Sequence, residues 1–243
     1  MPPTPLRLLG LLLAATGVAC GPPSSYGGFS NGGPSDDDDD DATPEWAPPG
    51  EGLDDNYWPE SQAPSNYQGT GAEVGDRLRD FELPDQYGEQ VSMTQFYGGL
   101  TLLVVGASWC EPCRDLAEAM PGIEEDVQAQ VDAVFWPVEL LAAGSSPGRI
   151  TTVIDAAAWA EQFDASGPVF WGVGARDWAA DHDVNSFPTL YLVDPGLQVR
   201  GVLSGWPGAA ALTEALVATW AAFAEDEPDW TNPFPFDEAP RHP

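Results

Sequence analysis

The chain has 243 residues, 43% of them apolar, which allows one or two domains with a real core. Against 39 acidic side chains stand 8 basic ones, for a net charge of −31, and every cation is an Arg. A surface of that sign repels nucleic-acid phosphates and anionic lipid headgroups and excludes both as direct partners.

The first element is an address. Residues 6–19 place one cation, Arg7, before a short apolar core that ends in small residues at Gly17-Val18-Ala19-Cys20. The core falls short of the roughly 20 apolar residues that span a bilayer, so residues 1–19 are expected to be a cleavable signal peptide. The junction is similar to a bacterial lipobox, with Gly17 where the motif prefers Leu. That resemblance implies acylation of Cys20 and an exported, lipid-anchored protein of the bacterial cell envelope, facing the periplasm in a diderm cell. Lipidation of Cys20 would leave Cys110 and Cys113 as a pair among the three cysteines.

Residues 20–72 are rich in Gly, Pro, Ser, Asn and Asp and include the run Asp36–Asp41. They read as a self-repelling tether rather than a calcium loop, because consecutive Asp residues lack the spaced ligands and Gly turn of an EF-hand. Trp46, Tyr57, Trp58 and Tyr67 are unusual in a tether; folding back onto the domain and contact with a partner are both open readings.

Order is expected over 73–224. Pro84-Asp85-Gln86-Tyr87-Gly88 is a turn before a short strand at 89–91, and Ser92 caps a brief helix through Phe96. The apolar run Leu100–Ala107 suits a buried parallel strand. Glu111 to Gln130 reads as a helix that tolerates Pro112 in its first turn and bends or breaks at Pro121-Gly122. A strand at 131–141, a loop at 143–149, a helix at 154–163, a short strand at 168–172 and a short helix at 176–182 follow. Strands at 189–193 and 197–204 make a hairpin across Asp194-Pro195-Gly196, and 209–224 is an Ala-rich last helix. The alternation predicts an α/β sandwich, with residues 225–243 an acidic, Pro-rich tail.

Chemistry concentrates in Trp109-Cys110-Glu111-Pro112-Cys113. Two thiols with two residues between them close a small disulfide ring and pass two electrons by exchange. The strand-to-helix junction places Cys110 at a helix N-terminus, where unpaired N–H groups and the helix dipole favour a thiolate. Cys110 is therefore the expected nucleophile, and Cys113, one turn inside and more buried, the resolving thiol. Glu111 adds nearby negative charge, which opposes the thiolate and favours a reducing role.

Four stretches carry a family resemblance: Gly75 through Phe81-Glu82-Leu83-Pro84-Asp85 to Gly98; Ala107-Ser108-Trp109-Cys110-Glu111-Pro112-Cys113; Val184-Asn185-Ser186-Phe187-Pro188-Thr189; and Leu192-Val193-Asp194-Pro195-Gly196. On these the chain resembles the thioredoxin superfamily, in its TlpA/ResA-like exported redoxin branch, over about residues 73–224. The resemblance implies a three-layer α/β/α sandwich with an N-terminal hairpin and an inserted strand–helix segment near 141–172. It implies protein disulfide oxidoreductase activity without a cofactor, with protein thiols and disulfides and an upstream electron donor as partners. It implies a cis bond before Pro188 that exposes the Phe187 backbone to substrate, and a partly exposed Trp109 over the dithiol. Membrane contact would run through the N-terminal lipid only.

The chain also departs from the pattern. Thioredoxin buries an Asp where Val104 stands, and the Glu of ResA-like proteins falls at Leu116, leaving Asp115, Glu118 and Glu139 as candidate proton acceptors. The related peroxidases need a hydroxyl at Ala107 and a Pro at Leu103, so peroxide reduction is a weaker alternative. A lipid-tethered binding module without redox turnover is the other, although a disulfide across two residues stabilises little. His182 and His242 do not complete a four-ligand metal set with the two thiols.

Overall fold

The computed structural model describes residues 56–234. The signal peptide, Cys20, Trp46, the Asp run and His242 lie outside the described residues. Among the described residues no helix is long and apolar enough to cross a membrane.

Strands β1 (Glu82–Pro84) and β2 (Gln90–Ser92) form an antiparallel hairpin. A 3-10 turn, Met93–Phe96, follows, closed by a reciprocal cap between Ser92 and Gln95. The main elements are β3 (Leu100–Ala107), α1 (Glu111–Gln128), β4 (Phe135–Ala143), α2 (Val153–Phe163), β5 (Val169–Phe170), α3 (Gly172–Asp181), β6 (Thr189–Val193), β7 (Val199–Ser204) and α4 (Ala209–Asp226). The sheet order is β5-β4-β3-β6-β7; β3, β4 and β5 are parallel, while β6 and β7 are antiparallel to their neighbours.

Alternate residues of β3 explain the layers. Leu102 and Val104 pack with Leu116, Met120 and Ile123 of α1 and Leu212 and Leu216 of α4, while Leu103 and Val105 share a core with Ala175 and Trp178 of α3. This is the expected α/β/α sandwich with its N-terminal hairpin. The insert supplies α2 and the edge strand β5. The β3–α1–β4 and β4–α2–β5 connections advance the sheet in the same direction, so right-handed crossovers put α1 and α2 on one face. Trp159 of α2 accordingly donates its indole Nε1–H to Glu139 of β4.

Three expectations need correction. Helix α1 runs through Pro121 without interruption, because Pro121 and Gly122 lie on its exposed side and the buried stripe holds the helix on the sheet. Order begins by residue 56, not 73. Trp58 is buried and donates to Asp85 Oδ2 at 2.7 Å, Tyr57 N donates to Glu89 at 2.9 Å, and Gln95 donates to Pro59 O at 2.9 Å. Tyr57, Trp58 and Tyr67 thus fold back onto the domain, each ring meeting another aromatic. The tail likewise packs as far as Phe234, which is buried with its ring 5.8 Å from that of Trp136.

Asp85 is fully buried, and burial raises its pKa to about 7 against the hydrogen bonds that favour its charge. Trp58 is one of its donors, so Trp58→Ala both empties a core site and orphans the carboxylate. We expect a loss of about 3–5 kcal/mol in urea unfolding. A loss under about 1 kcal/mol would show that the 56–67 segment is loosely held.

Candidate functional site

Cys110 is the N-cap residue of α1, with Glu111 exposed in the first turn and Pro112 buried behind it. The backbone folds over this cap: Cys110 N donates to Ala107 O at 3.0 Å, and the N–H groups of Cys113 and Arg114 both donate to Cys110 O at 3.2 Å. Cys113 sits one turn in. Gly106 gives it room, since a Cβ there would stand 3.2 Å from Cys113 Sγ. No disulfide joins Cys110 and Cys113 in this structure.

Across from them runs the Val184–Thr189 loop, with a cis bond between Phe187 and Pro188. Gly205 N donates to Pro188 O at 2.8 Å, and Thr189 Oγ1 donates to Ser186 O at 2.8 Å, which fix the loop to β7 and β6. Cys110 Sγ lies 3.5 Å from Phe187 O as its donor. The two thiols and the prolyl loop, read from two separate stretches of the sequence, meet in one place.

The sequence expects Cys110 to be the more open thiol. The structure differs: Cys110 is 0% and Cys113 2% exposed. The half-buried ring of Trp109 meets the buried ring of Phe187 edge-to-face at 6.1 Å. Burial pushes the Cys113 thiol well above its ordinary pKa, reinforced by its hydrogen bond to Cys110, by charge on Cys110 and by the negative charge of Glu139. Burial thus favours the protonated form of Cys113.

Of the three candidate acids, Asp115 and Glu118 lie on the exposed face of α1. Glu139 is buried in β4, paired in register with Val104. The position that carries the acid in thioredoxin is apolar here, and the carboxyl stands one strand away on the same face. Burial raises Glu139 to about 7, against the stabilising Trp159 hydrogen bond and with Glu124 adding to the rise. Sequence spacing could not single out Glu139, because its approach to Cys113 depends on β3–β4 register.

His182 caps α3 and stacks on Trp178 at 4.1 Å, a structural role. Among the described residues no group of three or more His, Cys, Asp or Glu is placed to hold a metal.

Two thiols at a helix N-terminus, opposite a cis-prolyl loop on a mixed five-stranded sheet, are the arrangement of a thioredoxin-like fold. Residues 74–138 match the AhpC/TSA family. Over 124 residues the chain is 28% identical to the thioredoxin-like protein YneN of Bacillus subtilis (strain 168), covering 51% of this chain and 67% of that one. Among solved structures it is similar to a putative thiol:disulfide interchange protein DsbE from Chlorobium tepidum, 26% identical over 63% of this chain and 98% of that one, with a TM-score of 0.48. It is also similar to the hypothetical protein SMc02350 from Sinorhizobium meliloti 1021, 18% identical over 64% and 88% of the two chains, with a TM-score of 0.50. The chain thus has a thioredoxin-like α/β fold and is similar to the AhpC/TSA family and to a thioredoxin-like protein.

Proposed function

We propose that the protein is a thiol–disulfide oxidoreductase of the cell envelope that reduces protein disulfides through Cys110 and Cys113. The observation that carries this reading is the convergence of both thiols on the Phe187–Pro188 loop, with Cys110 Sγ against the Phe187 carbonyl. The Cys110 thiolate attacks a client disulfide; one client sulfur leaves as a thiolate and takes a proton, and a Cys110–client disulfide forms. Cys113 then gives its proton to Glu139 and attacks Cys110 Sγ. The second client sulfur leaves, and a Cys110–Cys113 disulfide remains. Two electrons pass to the client, and a thiol-bearing electron donor must restore the dithiol. Since both cysteines are buried, the site must open before a client engages.

Export and a lipid on Cys20 complete the proposal, supported by the signal-like residues 1–19 and the Cys20 junction. Against peroxide reduction stands Ala107, a buried methyl that offers no hydroxyl to the leaving oxygen.

Equilibration with thiol redox buffers, paired with turnover on a protein disulfide, tests the reading. We expect a potential above about −300 mV together with turnover. A more negative potential with no turnover would mark the disulfide as structural and leave a binding module.

A further inference from the structure

Strand β7 is the outer strand of the sheet on the side of the prolyl loop. It pairs with β6 as Thr189↔Ser204, Leu190↔Leu203, Tyr191↔Val202 and Leu192↔Gly201, and Gly205 N donates to Pro188 O at 2.8 Å in the same register. Opposed residues of an antiparallel pair alternate between bonded and unbonded. Leu203 and Gly201 therefore turn their N–H and C=O groups toward β6, while those of Ser204 and Val202 point away from it. The chain itself covers the other half of that outer edge. Leu78 N donates to Leu197 O at 2.7 Å, Arg77 pairs antiparallel with Gln198, and Val199 bonds to Asp76 O and Gly75 N, each at 2.8 Å. A turn closed by Asp76 N on Glu73 O at 2.9 Å keeps the residues before Gly75 off the edge. Among the described residues no group pairs with the outward main chain of Val202 or Ser204, and both are exposed. The open half is continuous with the redox site. Ser204 Oγ lies 2.6 Å from Ser186 Oγ, and the next residue of that loop, Phe187, presents its carbonyl 3.5 Å from Cys110 Sγ. Val202 adds an apolar side chain that is 40% exposed.

We propose that the free half of β7, Val202–Ser204, is a docking strip for the client: an extended client segment beside the target disulfide adds to the sheet as a further strand. The inference rests on the oxidoreductase reading and names how that site holds its substrate. An unpaired strand edge is a template for another extended chain, and Val202, Leu203 and Ser204 carry neither the charge nor the proline that blunts such an edge. The Gly75–Leu78 segment already uses the neighbouring half in this way. An added strand lies about 4.8 Å beyond β7 and so roughly 10 Å from β6. Three or four extended residues, at about 3.3 Å each, then carry the client across Ser186 to Cys110. The net charge of −31 disfavours an acidic segment, so the paired client residues are apolar or basic. No bond is made or broken at the strip; it holds the client while its disulfide reacts at Cys110.

The test uses the full chain and two synthetic disulfide peptides with the same apolar, basic flank beside the cystine. In one of them the flank amides are N-methylated, starting about three residues from the cysteine, where the strip begins. We expect the parent to reduce the plain peptide with a kcat/KM about tenfold higher, the difference lying in KM, as for the loss of one or two main-chain hydrogen bonds. Val202→Pro removes an outward N–H and leaves the β6 ladder whole, because that N–H makes no bond to β6. In this variant the two peptides should differ by less than about twofold. Hydrogen exchange decides the matter even if the proline variant fails to fold. In the mixed disulfide of Cys113→Ser with the plain peptide, the amides of Val202 and Ser204 should exchange at least about tenfold more slowly than in the free chain. Equal turnover of the two peptides by an active parent, a preference that persists in folded Val202→Pro, or amides that stay as fast in the adduct would overturn the strip and leave the oxidoreductase reading standing. Amides already protected in the free chain would give the edge to another part of the chain or to a second copy, and overturn the strip equally. A parent inactive on both peptides would overturn both readings.

Discussion

Cys113→Ser should convert the protein into a covalent trap. The variant keeps Cys110 at the N-cap of α1, so attack on a client disulfide still proceeds once the buried site opens. The hydroxyl that replaces the second thiol cannot attack Cys110 Sγ, and the mixed disulfide accumulates. Turnover on a protein disulfide should fall by at least about a thousandfold while a Cys110-linked adduct appears on non-reducing gels and in mass spectra. Cys110→Ser should lose turnover equally and form no adduct. An adduct carried by Cys113 in the Cys110→Ser variant, or no adduct from either, would reverse or remove the assigned roles. The same trap, applied to an envelope fraction, identifies the client by the disulfide it surrenders.

Glu139→Gln should separate activity from stability. The carboxyl is buried and titrates near 7 in the folded state against 4.5 in the ordinary chain. The folded protein therefore binds this proton more tightly than the unfolded one. Its contribution to stability is whole below pH 4.5, declines as pH rises through about 7, and is gone above that. Gln keeps the acceptor for the Trp159 N–H and carries no charge at any pH. The variant should then gain about 3 kcal/mol over the parent at pH 8 and little at pH 4, read from urea midpoints at both. Asp85 and Glu124, also raised to about 7, keep their own decline over the same range. Meanwhile the resolving step should slow by about a hundredfold at pH 7, because Cys113 has lost its proton acceptor. A variant that resolves at the parental rate would move the acceptor elsewhere; one no more stable at pH 8 than the parent would mean that Glu139 is solvated.

The strain between these two effects is characteristic of a functional carboxylate. An apolar side chain at 139 would suit the fold better, yet the chain keeps a group whose charge the core disfavours. Glu139 occupies the strand beside the position where thioredoxin carries its acid. Strand register makes the two places equivalent, since Val104 and Glu139 are paired and point to the same face.

What the amino-acid order determined alone was everything encoded over short spans. The apolar run of β3, the Ser92 cap, the first turn of α1 and the Asp194-Pro195-Gly196 reversal depend on neighbours a few residues away, and all form where the local pattern places them. The redox dithiol is of this kind, because a strand-to-helix junction positions Cys110 without help from distant residues. Tertiary structure decided the rest. Whether Trp58 belongs to a tether or to the core depends on Asp85, and Phe234 finds its place only against Trp136. Where the candidate acid Glu139 lies depends on the pairing of β3 with β4, and the acceptor for Cys110 Sγ on a loop some 75 residues away. These contacts join residues distant in sequence, and composition or periodicity within one segment carries no record of its partner across the fold.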